Sequence, residues 1–163
     1  MSTIGFDTSN YTTSTAWTDG KTDINVRQIL YVKDGERGIR QSDGVFQHMK
    51  LMPVMYEKLS EQIDFKDVEA VGVSTRPRCV EGSYMPVFLA GEGYAKVVAN
   101  TLGVPLYEFS HQDGHIMAGI YSSGSFELLE KDFISVHLSG GTTEILKSRY
   151  NGFNFDNEIV GGS

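Results

Sequence analysis

The stretch FISVHLSGGTTEILKS, residues 133–148, decides the fold predicted for this chain. Residues 134–139 alternate apolar and polar side chains as a half-buried strand does, a glycine pair follows, and residues 144–148 again have strand character. A hairpin this late, after a full series of strands and helices, predicts that a second α/β lobe begins at residue 131.

Residues 1–130 are predicted to form the first lobe, with a mixed sheet. Its beginning is rich in β-branched residues, which predicts three strands joined by short turns. Beyond them, apolar residues three and four apart predict helices, and short apolar runs predict buried strands. In order, we expect strands at 4–9, 12–18 and 24–33, a helix starting near Ser42 that Pro53 kinks or divides, a strand at 68–74, a helix at 84–102 ended by Gly103, a strand at 105–109 and a helix carrying two histidines.

The remaining residues, 131–163, contain the hairpin and little else. Within residues 152–163, Gly161-Gly162-Ser163 is typical of a loop. We therefore expect a second lobe that this sequence begins and does not finish.

Composition excludes several classes of function. The net charge of −7 disfavours autonomous binding to nucleic acid, and no stretch is apolar enough to span a membrane. The single cysteine, Cys79, cannot form an internal disulfide, and the N-terminus has no secretory signal. We expect a cytoplasmic protein without membrane contact.

Two histidines one helical turn apart, His111 and His115, are the first candidate site. At positions i and i+4 both imidazoles lie on one helix face and can hold one metal ion, although capping or surface roles would give the same spacing. The zinc-protease signature His-Glu-x-x-His is not met, because Gln112 replaces the glutamate that activates water. Peptidase chemistry by that route is disfavoured.

His137 is a candidate third metal ligand, since three of the four histidines fall within residues 111–137. Strand alternation predicts that the apolar residues of its strand face the core and that His137 faces away with Ser139. His48 is expected at the surface or in packing, and Asp113 is expected to be solvated.

Two polar turns are candidate sites for phosphate oxygens. Glycines let a backbone approach a ligand closely, and amide and hydroxyl groups can donate to phosphate. A tight hairpin turn and a turn cap are the alternative interpretations. The candidate residues are Ser139, Gly140, Gly141 and Thr142 in the hairpin, and Asp7, Thr8 and Ser9 after the first strand.

Five motifs occur in a characteristic order and spacing: Ile4–Ser9, Val71–Ser74, Gly103–Pro105, His111-x-x-x-His115 and Leu138–Thr142. Their order and spacing resemble one family, the universal tRNA threonylcarbamoyladenosine transferases, formerly labelled O-sialoglycoprotein endopeptidases or glycoproteases. The resemblance covers essentially the whole chain, and the histidine pair with the Ser-Gly-Gly-Thr turn is its most specific part.

The resemblance implies the actin, sugar-kinase and Hsp70 (ribonuclease H-like) fold, with two α/β lobes around a nucleotide cleft. It also implies iron or zinc on the two helical histidines and on a distal Asp, with ATP or an adenylate against Ser139, Gly140, Gly141 and Thr142. Some members add a Tyr as a ligand, and His137 occupies its position here. The implied reaction is transfer of a threonylcarbamoyl group from its adenylate to an adenosine of tRNA.

Departures from the family pattern suggest a divergent member, represented by its N-terminal part. Asn10–Thr13 replaces acidic residues, Arg76-Pro77-Arg78 replaces Gly-Pro-Gly, and the sequence ends before the distal Asp. We therefore expect this chain to be inactive alone, and we assign no catalytic residues from its sequence.

Two other functions stay open within the same fold. One is a non-catalytic scaffold that dimerises, and the other is a small-molecule phosphotransferase. The expected partners are a second copy or a related-fold protein, with tRNA bound only through a larger complex.

Overall fold

The computed structural model describes residues 2–36, 38–139 and 142–162, with the backbone alone at Ser139 and Thr142. The chain forms two compact units, one of Met1–Pro77 and Ser83–His111, the other of Arg78–Gly82 and Gln112–Ser163. The second unit thus includes the histidine helix from Gln112 onward. None of the helices in the described ranges is long and apolar enough to cross a membrane.

The strands and helices follow one another largely in the predicted order. They are β1 (Ser2–Asp7), β2 (Thr12–Thr18), β3 (Asp23–Ile29), α1 (Gln41–Ser60), β4 (Val68–Arg76), α2 (Phe88–Leu102), β5 (Leu106–Ser110), α3 (His111–Ser123), β6 (Phe133–Ser139), β7 (Thr142–Tyr150) and β8 (Phe155–Gly162), with short 3-10 turns at Phe65–Asp67 and Phe126–Glu130.

The first unit contains a mixed sheet with strand order β3-β2-β1-β4-β5. The first three strands form an antiparallel meander, and β4 pairs in parallel with both β1 and β5. Parallel neighbours need crossovers, which α1 and α2 supply. Apolar residues of β1 and β4 pack with both helices in one core, whose buried members include Ile4, Phe6, Val71, Val73, Met52, Leu59, Ala95 and Ala99.

Helix α1 runs through Pro53 without a break, so the prediction that proline divides it is wrong. Proline lacks the amide that would bond the carbonyl four residues earlier, on Met49. The hydroxyl of Tyr94 on α2 donates to that Met49 oxygen at 2.9 Å. The neighbouring helix therefore satisfies the acceptor that proline leaves open. The helix begins at Gln41, and its N-cap Arg40 makes no side-chain cap, so Ser42 is not the cap that the sequence suggested.

The two glycines inside α2 have different environments. Gly91 donates its amide to the buried Thr8 hydroxyl at 3.0 Å, and a Cβ there would lie 2.9 Å from the same oxygen. Gly93 has no neighbour within 4 Å of an added Cβ. Helix α2 ends at Gly103, whose φ of 68° is left-handed, as predicted.

His48, a residue of α1, is fully buried rather than at the surface. Its Nδ1 is 2.7 Å from the Thr13 hydroxyl on β2, whereas its Nε2 has no hydrogen-bond partner among the described residues. Desolvation lowers the pKa of His48 to about 4, against an opposing effect of the Asp7 charge. The imidazole is therefore neutral in the folded protein at neutral pH.

The second unit contains the antiparallel sheet β6-β7-β8. The predicted hairpin is confirmed, but the loop predicted at Gly161-Gly162-Ser163 is wrong at its two glycines, because Phe155–Gly162 pairs with β7 as β8. The Asn151 carboxamide accepts the Phe153 and Asn154 amides and closes that turn. Asp, Asn and glycine residues give this strand low β propensity, so its pairing with β7 decides its conformation.

The face assignment of β6 is also wrong. Ile134, Val136 and Leu138 are 62%, 58% and 73% exposed, although the alternation predicted them in the core. On the other face of the hairpin, Leu146 and Ser148 of β7, which pair with Ser135 and Phe133, are buried instead. His137 therefore lies on the covered face of the sheet.

Exchanging the two α2 glycines for alanine separates packing from helix propensity. Gly91→Ala should lower the free energy of unfolding by about 1–3 kcal/mol, because its methyl group meets the buried Thr8 hydroxyl. Gly93→Ala is the matched control and should raise stability by up to about 1 kcal/mol. Urea unfolding of both variants measures the difference, and equal effects would contradict the close contact at Thr8.

The buried His48 predicts acid sensitivity in a defined range. Its pKa in the folded protein is lower than the ordinary imidazole value of about 6.5, so the unfolded chain binds the extra proton and stability decreases as the pH falls from about 6.5 to about 4. The loss is on the order of 2–3 kcal/mol. His48→Gln, which does not titrate, should flatten the curve of unfolding free energy over this range. A variant with the wild-type pH slope would show that the desolvation of His48 does not set it.

Candidate functional site

Three polar residues meet at one edge of the first unit's sheet. Because β1, β4 and β5 are parallel, their carboxyl ends lie side by side. Asp7 ends β1, Ser74 lies near the end of β4, and His111 follows β5 directly. The carboxyl edge of a parallel sheet is where ligands bind in open α/β folds.

Asp7 is held at several points. Its Oδ2 lies 2.8 Å from His111 Nδ1, and its Oδ1 accepts the Ser9 amide at 2.7 Å. Burial alone would raise the pKa of Asp7, but the hydrogen bond and charge of His111, with hydrogen bonds from Ser74 and Ser9, lower it to about 2. Asp7 is therefore a carboxylate at neutral pH.

His111 begins α3, and its ring also lies against Phe88, with centroids 6.2 Å apart. The helix is continuous from His111 to Ser123 and includes His115, which confirms the helical spacing of the pair. Residues four apart in a helix are neighbours on its surface.

The other two candidates after β1 are used inside the first unit. The Thr8 hydroxyl is fully buried, donates to the Val87 carbonyl at 2.8 Å and accepts from Gly91. Ser9 contributes its amide to Asp7. Thr8 therefore fixes the end of β1 against α2, and Asp7 is the residue of the three whose side chain contacts a candidate ligand residue.

Within the second unit, His115 and His137 are neighbours, with ring centroids 5.7 Å apart. Both line a cavity of about 240 Å³ between α3 and β6, with Gln112 at the same wall. No group of three His, Cys, Asp or Glu side chains suited to a metal occurs in the part of the chain that the structure describes. Gly140 and Gly141 of the hairpin lie outside the described residues, as do the side chains of Ser139 and Thr142.

Glu144 connects several polar residues of the second unit, and no pattern in the sequence singles it out. It is nearly buried and pairs across the sheet with His137, whose Nδ1 lies 3.9 Å from Glu144 Oε2. Its Oε1 lies 2.7 Å from Arg78 Nη2, and Gln112 donates to Oε2 at 3.4 Å. One of the two arginines that replace family glycines thus neutralises a buried carboxylate.

Asp113 is buried, with 3% of its surface exposed, so the expectation of a solvated side chain is wrong. It follows Gln112, which is also buried. Both lie in the first turn of α3, directly after His111.

Sequence comparison decides the family. The sequence model of the tRNA N6-adenosine threonylcarbamoyltransferase family, TsaD, matches residues 35–162. The chain belongs to this family. The resemblance seen in its motifs is thereby confirmed.

Curated members of the TsaD family match different shares of the chain. The tRNA N6-adenosine threonylcarbamoyltransferase of Pyrobaculum calidifontis is 29% identical over 87% of this chain and 40% of its own length. That of Christiangramia forsetii is 33% identical over 60% of this chain and 27% of its own length. That of Moorella thermoacetica is 36% identical over 61% of this chain and 27% of its own length. The chain therefore spans well under half the length of these relatives.

Solved structures agree with the fold. YeaZ from Pseudomonas aeruginosa superposes with a TM-score of 0.59 at 12% identity, covering all of this chain and 66% of YeaZ. A second Pseudomonas aeruginosa protein, described as similar to peptidase YEAZ, gives a TM-score of 0.57. The TsaD-family chain thus has the expected α/β fold of the actin and Hsp70 type, with a mixed sheet.

Removing either partner of the Arg78–Glu144 pair should destabilise the second unit. Arg78→Gln leaves a nearly buried carboxylate without its cation, so we expect a loss of about 2–3 kcal/mol in unfolding free energy, and about 1–2 kcal/mol for Glu144→Gln. The double variant should lose less than the sum of both, because the residues interact directly.

The exposed Lys147–Asp132 pair of the same unit is the control for this cycle. Asp132→Asn should change stability by less than about 1 kcal/mol, as surface ion pairs do. Additive losses for Arg78→Gln and Glu144→Gln in urea unfolding would contradict a stabilising pair.

Proposed function

We propose that this chain is the part of a tRNA threonylcarbamoyltransferase that contains the metal-binding helix. His111 and His115 hold a divalent metal ion, iron or zinc, in this proposal. The observation that supports it most is the start of α3, where a histidine bound to a carboxylate is followed one turn later by a second histidine, in a chain of the TsaD family.

The proposed reaction is an acyl-type transfer. The exocyclic N6 amine of a tRNA adenosine attacks the carbamoyl carbon of threonylcarbamoyl adenylate, the bond from that carbon to the phosphate oxygen breaks, and the amine loses a proton as AMP leaves. The relatives' printed names give the nucleoside and the transferred group. Because the chain spans 27–40% of their length, the complete activity is proposed for the protein of which these residues are a portion.

The donor set fits a metal ion of this kind. Neutral imidazoles are common ligands of zinc and iron, and a helix holds two of them at the required spacing. When bound, such an ion polarises carboxyl and phosphate oxygens as a Lewis acid. His137, beside His115, stands as a further ligand or as a residue that orients the substrate.

The other residues have binding roles in this proposal. The backbone amides and hydroxyls of Ser139–Thr142 hold the phosphate of ATP or an adenylate. A partner of related fold, or a second copy, completes the assembly that contacts tRNA, because the net charge of −7 disfavours direct binding of RNA by this chain. The reaction takes place in the cytoplasm, and the chain alone is inactive.

Metal binding by single-histidine variants tests this proposal. The chain should retain zinc or cobalt after metal loading and desalting, and His111→Ala and His115→Ala should each weaken binding by at least about 10-fold. His48→Gln removes a histidine remote from α3 in sequence and should leave the metal content unchanged. His137→Ala shows whether this residue is the third ligand.

Two results would contradict the metal assignment. One is wild-type protein that retains no metal, and the other is unchanged metal content in both α3 variants. Either result would favour the scaffold hypothesis for this chain.

A further inference from the structure

We propose that Asp7 is a positioning residue, which holds His111 as the Nδ1–H tautomer and thereby directs its Nε2 lone pair toward the metal ion. This inference rests on the proposed metal site and deepens it. It gives Asp7 a role different from the phosphate contact that the sequence suggested.

The hydrogen-bond chemistry permits one direction of donation. An aspartate is ionised at neutral pH and can only accept hydrogen bonds. The 2.8 Å contact from His111 Nδ1 to Asp7 Oδ2 therefore places a proton on Nδ1. In a neutral imidazole, the other nitrogen, Nε2, then carries the lone pair that a metal requires.

The carboxylate is itself fixed, so it can fix the imidazole in turn. Its second oxygen accepts the Ser9 amide at 2.7 Å, and the Ser74 side chain donates a further hydrogen bond. The adjacent Thr8 is buried and bonded to the Val87 carbonyl and the Gly91 amide of α2. Strand, helix and turn thus hold Asp7 at the carboxyl edge of the sheet.

Carboxylates that do not bind the metal themselves are found in the same arrangement at known kinds of metal site. Metal-binding histidines commonly donate their second ring N–H to a carboxylate, which sets the tautomer and raises the basicity of the ligand nitrogen. Loss of such a partner typically weakens metal binding by about 10–100-fold. Because an ionised carboxylate only accepts hydrogen bonds and repels an anionic phosphate, we assign Asp7 to the histidine, which donates to it, and not to the nucleotide.

The tautomer can be measured without any metal. Nitrogen-15 labelling of the histidines, with long-range proton–nitrogen correlation at about pH 8, above the ordinary imidazole pKa of about 6.5, identifies the protonated nitrogen of His111. We expect Nδ1–H in the wild type and in Asp19→Asn, and a mixture of tautomers in Asp7→Asn. Asp19 is an exposed turn carboxylate of the same unit, so its variant controls for loss of a charge. Nε2–H in the wild type would overturn the proposal.

Zinc titration of the same proteins tests the consequence. Asp7→Asn should raise the dissociation constant for Zn²⁺ by about 10–100-fold, and Asp19→Asn should leave it unchanged. In a His111→Ala background, Asp7→Asn should have no further effect, because Asp7 acts through His111. Urea unfolding of Asp7→Asn verifies that the variant is folded.

The outcomes separate this inference from the proposed function. A wild type with the Nδ1–H tautomer but no zinc affinity would overturn the metal site while the Asp7–His111 geometry stands. Zinc binding that depends on His111 but not on Asp7 would overturn the positioning role alone. An equal effect of Asp7→Asn in the His111→Ala background would make Asp7 a direct ligand and would also overturn it.

Discussion

The parallel pairing of β4 with β1 and β5 determines where the polar residues of the first unit lie. Parallel strands end at the same edge, so Asp7, Ser74 and His111 come together although they are far apart in sequence. The Asp7–His111 hydrogen bond is the direct result, and it spans 104 positions of the chain. Every chemical role discussed for this unit depends on that edge.

Elsewhere in the first unit, buried polar groups form hydrogen bonds with groups on neighbouring elements. The Thr8 hydroxyl donates to the carbonyl of Val87, the N-cap of α2, and accepts the Gly91 amide, and this close approach requires glycine at position 91. The Tyr94 hydroxyl donates to the Met49 carbonyl, which has no amide donor because residue 53 is proline. These contacts allow a glycine and a proline inside helices that local propensity would disfavour. Residues that look like helix breakers in the sequence are thus explained by their neighbours on other elements.

The second unit shows where a sequence pattern becomes ambiguous. Alternation along β6 correctly predicted a strand with two unlike faces, and it predicted the wrong face as buried. Period-two alternation states which residues share a face, whereas the packing partner decides which face is covered. Here the covered face carries His137 and its cross-strand partner Glu144, and Arg78, from a different segment, neutralises the charge of Glu144. Neither Glu144 nor Arg78 could be paired from the sequence, because nothing local relates them.

The sequence by itself determined the family, the order of nearly all strands and helices, the i, i+4 histidine pair and the end of α2 at Gly103. All of these follow from short-range spacing, backbone preference or motif order. Only the tertiary structure decided that His48 and Asp113 are buried, that β8 is a strand and that Asp7 contacts His111 rather than standing apart from it. Burial and hydrogen-bond partners depend on groups contributed by distant segments, and the pairing of those segments is a property of the whole fold.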